Sequence, residues 1–133
     1  MIPEKTIKIC GKDVQLRYCI ASETGFEILS DKESTVFLPT PTDQKDEEGN
    51  IIYDKPKATT EDYLRLAIAS IIAAYERNGQ EPPVSVDDIL YDATPEEITN
   101  LIASTIELKL KWYHISDVVK PETEKKEDDG KNA

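Results

Sequence analysis

The segment KTIKICGKDVQLRY, residues 5–18, is the part of the chain from which its architecture follows. Ile7 and Ile9 alternate with polar residues before the turn Gly11-Lys12-Asp13, and apolar residues again occupy every second position after it. Two alternating runs around a glycine-containing turn predict a β-hairpin with one apolar face. An isolated two-stranded hairpin is only marginally stable, so we expect this face to pack on other elements of the chain.

The pattern leaves the register of this hairpin open. A two-residue loop beginning at the glycine pairs Ile9 with Val14, whereas a loop one residue later pairs Ile9 with Leu16. Both arrangements keep the apolar residues on one face, because the side chains of a strand alternate with a period of two.

Helices are predicted downstream of the hairpin. Residues 20–30 form a short helix that Gly25 weakens, because glycine is a poor helix former. A longer helix begins at Thr59 or Thr60 and ends at Gly79.

Two capping boxes predict two more helices. Ser85 and Thr94 are each followed three residues later by an acidic residue, and the helix after Thr94 should run to about Trp112. The fold class is therefore α+β, with the N-terminal β-hairpin packed on a small bundle of about four helices. The helix residues expected against the hairpin are Leu64, Ile68, Ile71, Leu101 and Ile102.

We expect a single domain over residues 1–115. Within it, residues 34–58 form an inserted loop or second hairpin, because the β-prone runs Val36-Phe37-Leu38 and Ile51-Ile52-Tyr53 flank an acidic stretch. Residues 116–133 are acidic, rich in lysine and poor in apolar residues, and they predict a disordered tail.

Composition excludes several classes of function. The formal net charge is −11, from 16 basic and 27 acidic residues, and this disfavours binding to nucleic acid because phosphate contacts need cations. No apolar run approaches the roughly 18 residues of a membrane span, and the N-terminus lacks the features of a signal peptide. We therefore expect no membrane contact and a cytoplasmic location.

Histidine and cysteine, which often act as catalytic groups or metal ligands, are few in this sequence. His114 is the sole histidine, and we interpret it as a solvated residue near a helix end. Cys10 and Cys19 are out of register on the predicted hairpin, so we expect free, buried or half-buried thiols, and nothing local supports a cysteine–histidine nucleophile. None of the common phosphate, zinc or acyl-transfer motifs occurs. We therefore predict no enzymatic activity, no catalytic residue, no metal and no cofactor.

The acidic run over residues 43–50 invites comparison with a calcium loop. Such a loop has oxygen ligands at alternate positions before its glycine and a carboxylate six residues after it. Gln44 and Asp46 precede Gly49, but Lys55 occupies the position of the closing carboxylate. A solvated turn is the preferred interpretation.

The last helix has more apolar surface than one core needs, since its apolar residues spread over about 200° where little more than 100° suffices. Lys109 falls inside this arc. Either the helix is sandwiched within its own domain, with Lys109 extending to solvent from a frayed end, or one edge meets another subunit or a partner helix. The predicted interface residues on that edge are Ile106, Leu110 and Tyr113.

The order of these parts resembles the tail assembly chaperones of long-tailed, siphovirus-like phages and prophages, particularly those of Bacteroides-type bacteria. The resemblance covers most of residues 5–113, and residues 40–57 are longer than the corresponding connection in that family. It rests on the segments KTIKICGKDVQLRY, IASETGFEILSDK, TTEDYLRLAIASIIAAYERNG, VSVDDILYDA and TPEEITNLIASTIE.

This resemblance implies a chaperone that coats the helical tape-measure protein and keeps it soluble until tail-tube protein replaces it. It also implies a longer, frameshifted product that recruits the tail-tube protein. Two other classes remain as alternatives. One is a generic acidic adaptor or antitoxin-like protein that binds a basic partner, and the other is a small enzyme that uses carboxylates alone.

Overall fold

The computed structural model describes residues 2–117, with side-chain surroundings through Tyr113. The fold is α+β, as predicted, and this part of the chain contains two antiparallel hairpins and four α-helices. The predicted tail, residues 116–133, overlaps the last turn of the final helix and otherwise lies outside the described residues. The elements are β1 (Glu4–Ile9), β2 (Lys12–Arg17), α1 (Ile20–Ser30), a 3-10 helix (Ser34–Phe37), β3 (Thr40–Lys45), β4 (Ile51–Asp54), α2 (Thr60–Glu76), α3 (Val86–Asp92) and α4 (Pro95–Asp117).

The β1–β2 hairpin has neither of the two registers considered from the sequence. Its loop is Cys10-Gly11, and Ile7 pairs with Val14. Cys10 and Gly11 have φ values of 53° and 76°, and two successive positive φ values are typical of a type I′ turn. The observed register differs from each predicted one by an even number of residues, so the same side chains still share one face. They are Ile7, Ile9, Val14 and Leu16, all buried.

The turn of this hairpin is held between α3 and α4. The Cys10 amide donates to Glu97 Oε2 at 2.9 Å, and the Cys10 thiol lies 3.7 Å from the Asp88 carbonyl oxygen. The ammonium of Lys12 donates to the Pro83 carbonyl at 3.1 Å. These contacts join residues about eighty positions apart in the chain. A turn placed one residue later would present a different amide to Glu97, so the contact is specific to the observed register.

The buried face of β1–β2 packs on α2 and α4, as predicted. Ile68, Ile71 and Leu101 are buried in this core, and Leu64 packs against it half-buried. The expectation for Ile102 is wrong, because this side chain is half-buried and does not belong to the core. Successive helical residues are rotated by about 100°, so Ile102 points sideways when Leu101 faces the hairpin.

Residues 34–58 contain a second hairpin, although not with the strands expected. Val36-Phe37-Leu38 was predicted as a β-prone run, but it lies in and just after the 3-10 helix. Phe37 is buried there, with its ring centroid 4.8 Å from that of Phe26 and 5.0 Å from that of Tyr63. Burial of this aromatic ring against α1 and α2 accounts for the difference, because a strand of the second hairpin would carry it into solvent.

Capping boxes begin α3 and α4 at Ser85 and Thr94, as predicted, and a third capping box begins α2 at Thr59, one of the two predicted starts. The box of α2 has a further contact, because its Asp62 carboxylate is buried and accepts a hydrogen bond from Lys32 Nζ at 2.9 Å. Burial disfavours the charged form of Asp62, but hydrogen bonds from the Thr59 amide and Lys32 outweigh it, and the pKa of Asp62 lies below its usual value. The loop after α1 is thereby attached to the start of α2.

Helices α1 and α2 approach closely at Gly25. A Cβ atom added at this position would lie 3.1 Å from the Cβ of Ala69, a distance that leaves no room for a larger group. The glycine that weakens α1 as an isolated helix therefore permits its packing in the folded chain.

Replacing Gly25 with valine should destabilise the protein by about 1–3 kcal/mol, the usual effect of overpacking a tight contact. The measurement is the free energy of unfolding in urea. Thr24→Val, an exposed position on the same helix, is the matched control and should change stability by less than about 0.5 kcal/mol. The second change Ala69→Gly should restore part of the loss, and equal losses for Gly25→Val with and without it would contradict the packing argument.

Candidate functional site

Helix α4 carries two apolar stripes with different surroundings. The first faces the core and includes Leu101 and Leu108, which are buried. The second stripe lies beside it at spacings of four, four and three residues, which places its members on one side of the helix. We call it the α4 surface row, and it consists of Ile102, Ile106, Leu110 and Tyr113.

The structure brings the three predicted interface residues together in this row. Ile106 is half-buried, whereas Leu110 is 55% exposed and Tyr113 is 41% exposed. The idea that α4 is sandwiched within its own domain therefore does not account for Leu110 and Tyr113. An interface at these residues stays a prediction, and Ile102, which the sequence analysis placed in the core, extends the row by one turn.

A carboxylate of α1 connects this row to the core. Glu23 Oε2 accepts a hydrogen bond from the fully buried Tyr18 hydroxyl at 2.8 Å and another from the Tyr113 hydroxyl. Burial and the hydrogen bond to Glu23 raise the pKa of Tyr18. The same causes, in the same order, raise the pKa of Tyr113 to about 12. Both phenols therefore remain protonated donors at neutral pH.

Lys109 lies beside this cluster on α4. Its Nζ is 4.5 Å from the ring centroid of Tyr113 and 5.9 Å from that of Phe37, within the range of cation–π contacts. Burial lowers the pKa of Lys109, and the negative charge of Glu23 opposes this change. The frayed helix end considered for Lys109 is not observed, because α4 continues to Asp117. One edge of the α4 surface row is therefore held by a hydrogen bond to Glu23 and by cation–π contacts of Lys109.

Sequence reasoning missed the role of Glu23. The helical pattern of α1 places it on the polar side, where a solvated carboxylate is the ordinary expectation. Its contact with Tyr113 spans ninety positions of the chain, and no local pattern reports such a pairing.

The two cysteines are free thiols and half-buried, in agreement with the expectation from the sequence. Burial, followed by the nearby carboxylates of Glu97, Asp88 and Asp92, raises the pKa of Cys10. The Cys10 thiol is thus held in its protonated, weakly nucleophilic form at neutral pH. The side chain of His114 lies outside the described residues, and so does the cysteine–histidine pairing considered above.

The acidic run is a hydrogen-bonded turn. Asp46 Oδ1 accepts from the amides of Glu48 and Asn50, each at 2.9 Å, and these bonds, that from Asn50 foremost, lower the pKa of Asp46. Gly49 has a φ of 85°, as the turn requires. Within residues 2–117, no group of three histidine, cysteine or acidic side chains is arranged to hold a metal ion.

Comparison of the chain with protein-family models, with curated proteins and with solved structures finds no match. The stretch from residue 2 to residue 117 includes no helix that is both long enough and apolar enough to cross a membrane.

Removing the Tyr113 hydroxyl should cost about 0.5–1 kcal/mol of stability at neutral pH, because one hydrogen bond to a carboxylate is lost at a partly exposed position. The pKa of Tyr113 is raised to about 12 in the folded protein, whereas it is about 10 in the unfolded chain. The stability that the hydrogen bond contributes is therefore fully present below pH 10, and it is lost as the pH rises from about 10 to about 12. Urea unfolding of Tyr113→Phe and the unchanged protein should therefore differ at pH 8 and converge toward pH 12.

Tyr91→Phe is the matched control, since Tyr91 is an exposed tyrosine on α3. It should change stability by less than about 0.5 kcal/mol at any of these pH values. A stability difference for Tyr113→Phe that is absent at pH 8, or that grows with pH, would contradict the proposed hydrogen bond to Glu23.

Proposed function

We propose that this protein is a tail assembly chaperone of a long-tailed phage or prophage, acting in the bacterial host cytoplasm by binding other proteins and without catalysis. Its partners would be the tape-measure protein and, during assembly, the tail-tube protein. The observation that carries the proposal is the α4 surface row, an apolar edge of a well-anchored helix that the core leaves uncovered. The resemblance of residues 5–113 supplies the identity of the partner.

The geometry of the row suits a helical partner. Its four members follow the three- and four-residue spacing of helix-in-groove contacts, in which one helix lies along the apolar edge of another. A tape-measure protein is long and helical, so it offers such an apolar stripe many times over. Glu23 and Lys109 adjoin the row and supply the polar rim that specific protein contacts usually have.

The acidity of the chain fits a carrier of aggregation-prone helices. A formal charge of −11 keeps the chaperone and its cargo soluble through mutual repulsion of loaded complexes. The same acidity also suits the alternative of an adaptor or antitoxin-like protein for a basic partner. The gene neighbourhood separates the two, because a toxin gene would replace the tape-measure and tube genes.

The test is co-expression with the tape-measure protein encoded nearest to this gene. We expect the unchanged chain to keep the tape-measure protein soluble and to co-purify with it. Leu110→Glu should reduce this binding about tenfold or more, because it puts a charge in the centre of the apolar contact. Since Leu110 is largely exposed, the variant should retain its stability to within about 1 kcal/mol.

Leu90→Glu is the matched control, since Leu90 is also a leucine on a helix surface, with 43% exposure. It should bind the tape-measure protein as the unchanged chain does. Unimpaired binding by Leu110→Glu would contradict the proposed surface. An unfolded Leu110→Glu would show that the residue belongs to the core, and no binding by the unchanged chain would contradict the proposed function itself.

A further inference from the structure

One edge of the β3–β4 hairpin is left uncovered by the residues that the structure describes. Its sheet has only two strands, and β4 carries three consecutive apolar residues, Ile51, Ile52 and Tyr53, that are between 39% and 57% exposed. Isolated apolar side chains at a surface are ordinary, but three in a row on a strand with one free edge are a template for pairing with another strand. This surface is separate from the α4 surface row.

The backbone of β4 points its free hydrogen-bonding groups outward at two residues. The Ile52 carbonyl accepts from Thr42 Oγ1 of β3 at 2.7 Å, so the polar groups of Ile52 face the hairpin partner. The amide and carbonyl of successive strand residues point in opposite directions. Those of Ile51 and Tyr53 therefore point away from β3 toward the open side.

The opposite edge of the same hairpin is protected. In β3, Pro41 stands across from Tyr53, and the direction of the Thr42 contact places the proline on the outer side of its strand. Proline has no amide hydrogen to donate and is a common device for blocking a sheet edge. Pairing with a further strand is thus possible along β4 and hindered along β3.

We propose that β4 pairs antiparallel with β4 of a second copy of this chain, joining the two hairpins into a four-stranded sheet. With the two-fold axis at Ile52, Ile51 of one copy pairs with Tyr53 of the other, and both sets of outward groups are satisfied. The two Ile52 side chains then lie directly opposite each other, in the closer type of antiparallel pair. This register overlaps all three apolar residues.

Charge complementarity favours a copy of this chain as the occupant. The segment after β4 carries Lys55 and Lys57, whereas the turn before it carries Asp46, Glu47 and Glu48. Antiparallel pairing about Ile52 brings the end of β4 in each copy, which leads into Lys55 and Lys57, alongside the hydrogen-bonded acidic turn that precedes β4 in the other. The contact is made twice by symmetry, and at about 0.15 M salt the net charge of more distant residues is screened beyond roughly 8 Å.

A proline at the open edge tests the pairing. We expect the full chain to show a concentration-dependent monomer–dimer equilibrium in sedimentation equilibrium. Tyr53→Pro removes one outward amide and should abolish the dimer, while the hydrogen bonds between β3 and β4 stay intact because they involve the other side of the strand. Tyr53→Ala, which also loses the aromatic ring but keeps the amide, is the matched control and should weaken the dimer without abolishing it.

Charge reversal provides a second test that leaves the strand unchanged. Reversing both lysines, Lys55→Glu with Lys57→Glu, should weaken the dimer roughly fivefold, and so should Glu47→Lys with Glu48→Lys, because each change turns attraction between the segments into repulsion. The variant that combines all four changes should recover the affinity of the unchanged chain. Such recovery is expected only when the segment after β4 of one copy lies alongside the acidic turn of the other.

A crosslink locates the two-fold axis. Ile52→Cys should form a disulfide-linked dimer under mild oxidation, joined through residue 52 as identified by peptide mass, whereas Ile28→Cys, at a more exposed isoleucine of α1, should not. A chain that stays monomeric at millimolar concentration, or a dimer that survives Tyr53→Pro, would overturn the proposal. A dimer lost in Leu110→Glu instead would assign self-association to α4 and also overturn it, while leaving the tape-measure contact to its own test.

Discussion

The apolar face of the β1–β2 hairpin must be removed from water, and the arrangement of the other elements follows from this constraint. Ile9, Val14 and Leu16 have no exposed surface at all, and burial of such side chains stabilises a fold by roughly 1.5–3 kcal/mol each. Two strands cannot cover this face themselves, so α2 and α4 lie across it and α1 packs against α2. The close approach at Gly25 and the buried ring of Phe37 then complete the side of the molecule away from the hairpin.

Features that depend on neighbours in the chain could be predicted from the sequence. The helix starts at Ser85 and Thr94 are correct because a capping box is complete within four residues, and the start of α2 was narrowed to Thr59 or Thr60, of which Thr59 is observed. The register of β1–β2 could not be predicted, since it is selected by the contact of the Cys10 amide with Glu97, far along the chain. The hydrophobic pattern is equally compatible with every even shift of register.

The candidate site, too, could be predicted only where it depends on local pattern. Helical periodicity shows an excess of apolar surface on α4, and it identifies Leu110 and Tyr113 because both lie off the side of the helix that meets the core. It misassigns Ile102, which lies at the boundary of the two stripes. Glu23 and the ring contacts of Lys109 depend on how α1 and α4 meet in space. The exposed edge of β4 escaped notice because its partner strand was sought at residues 36–38 and not at 40–45.

The bond between the Cys10 amide and Glu97 also sets an order of events during synthesis. Ribosomes add about 5–20 residues per second, so several seconds pass between the emergence of the first hairpin and that of α4. During this interval the apolar strands lack α4, one of their two final partners, and the nascent chain presents the uncovered part of the face to whatever lies near the exit tunnel. Native structure at the N-terminus is therefore completed only when the last helix arrives, which makes early folding of this domain dependent on its far end.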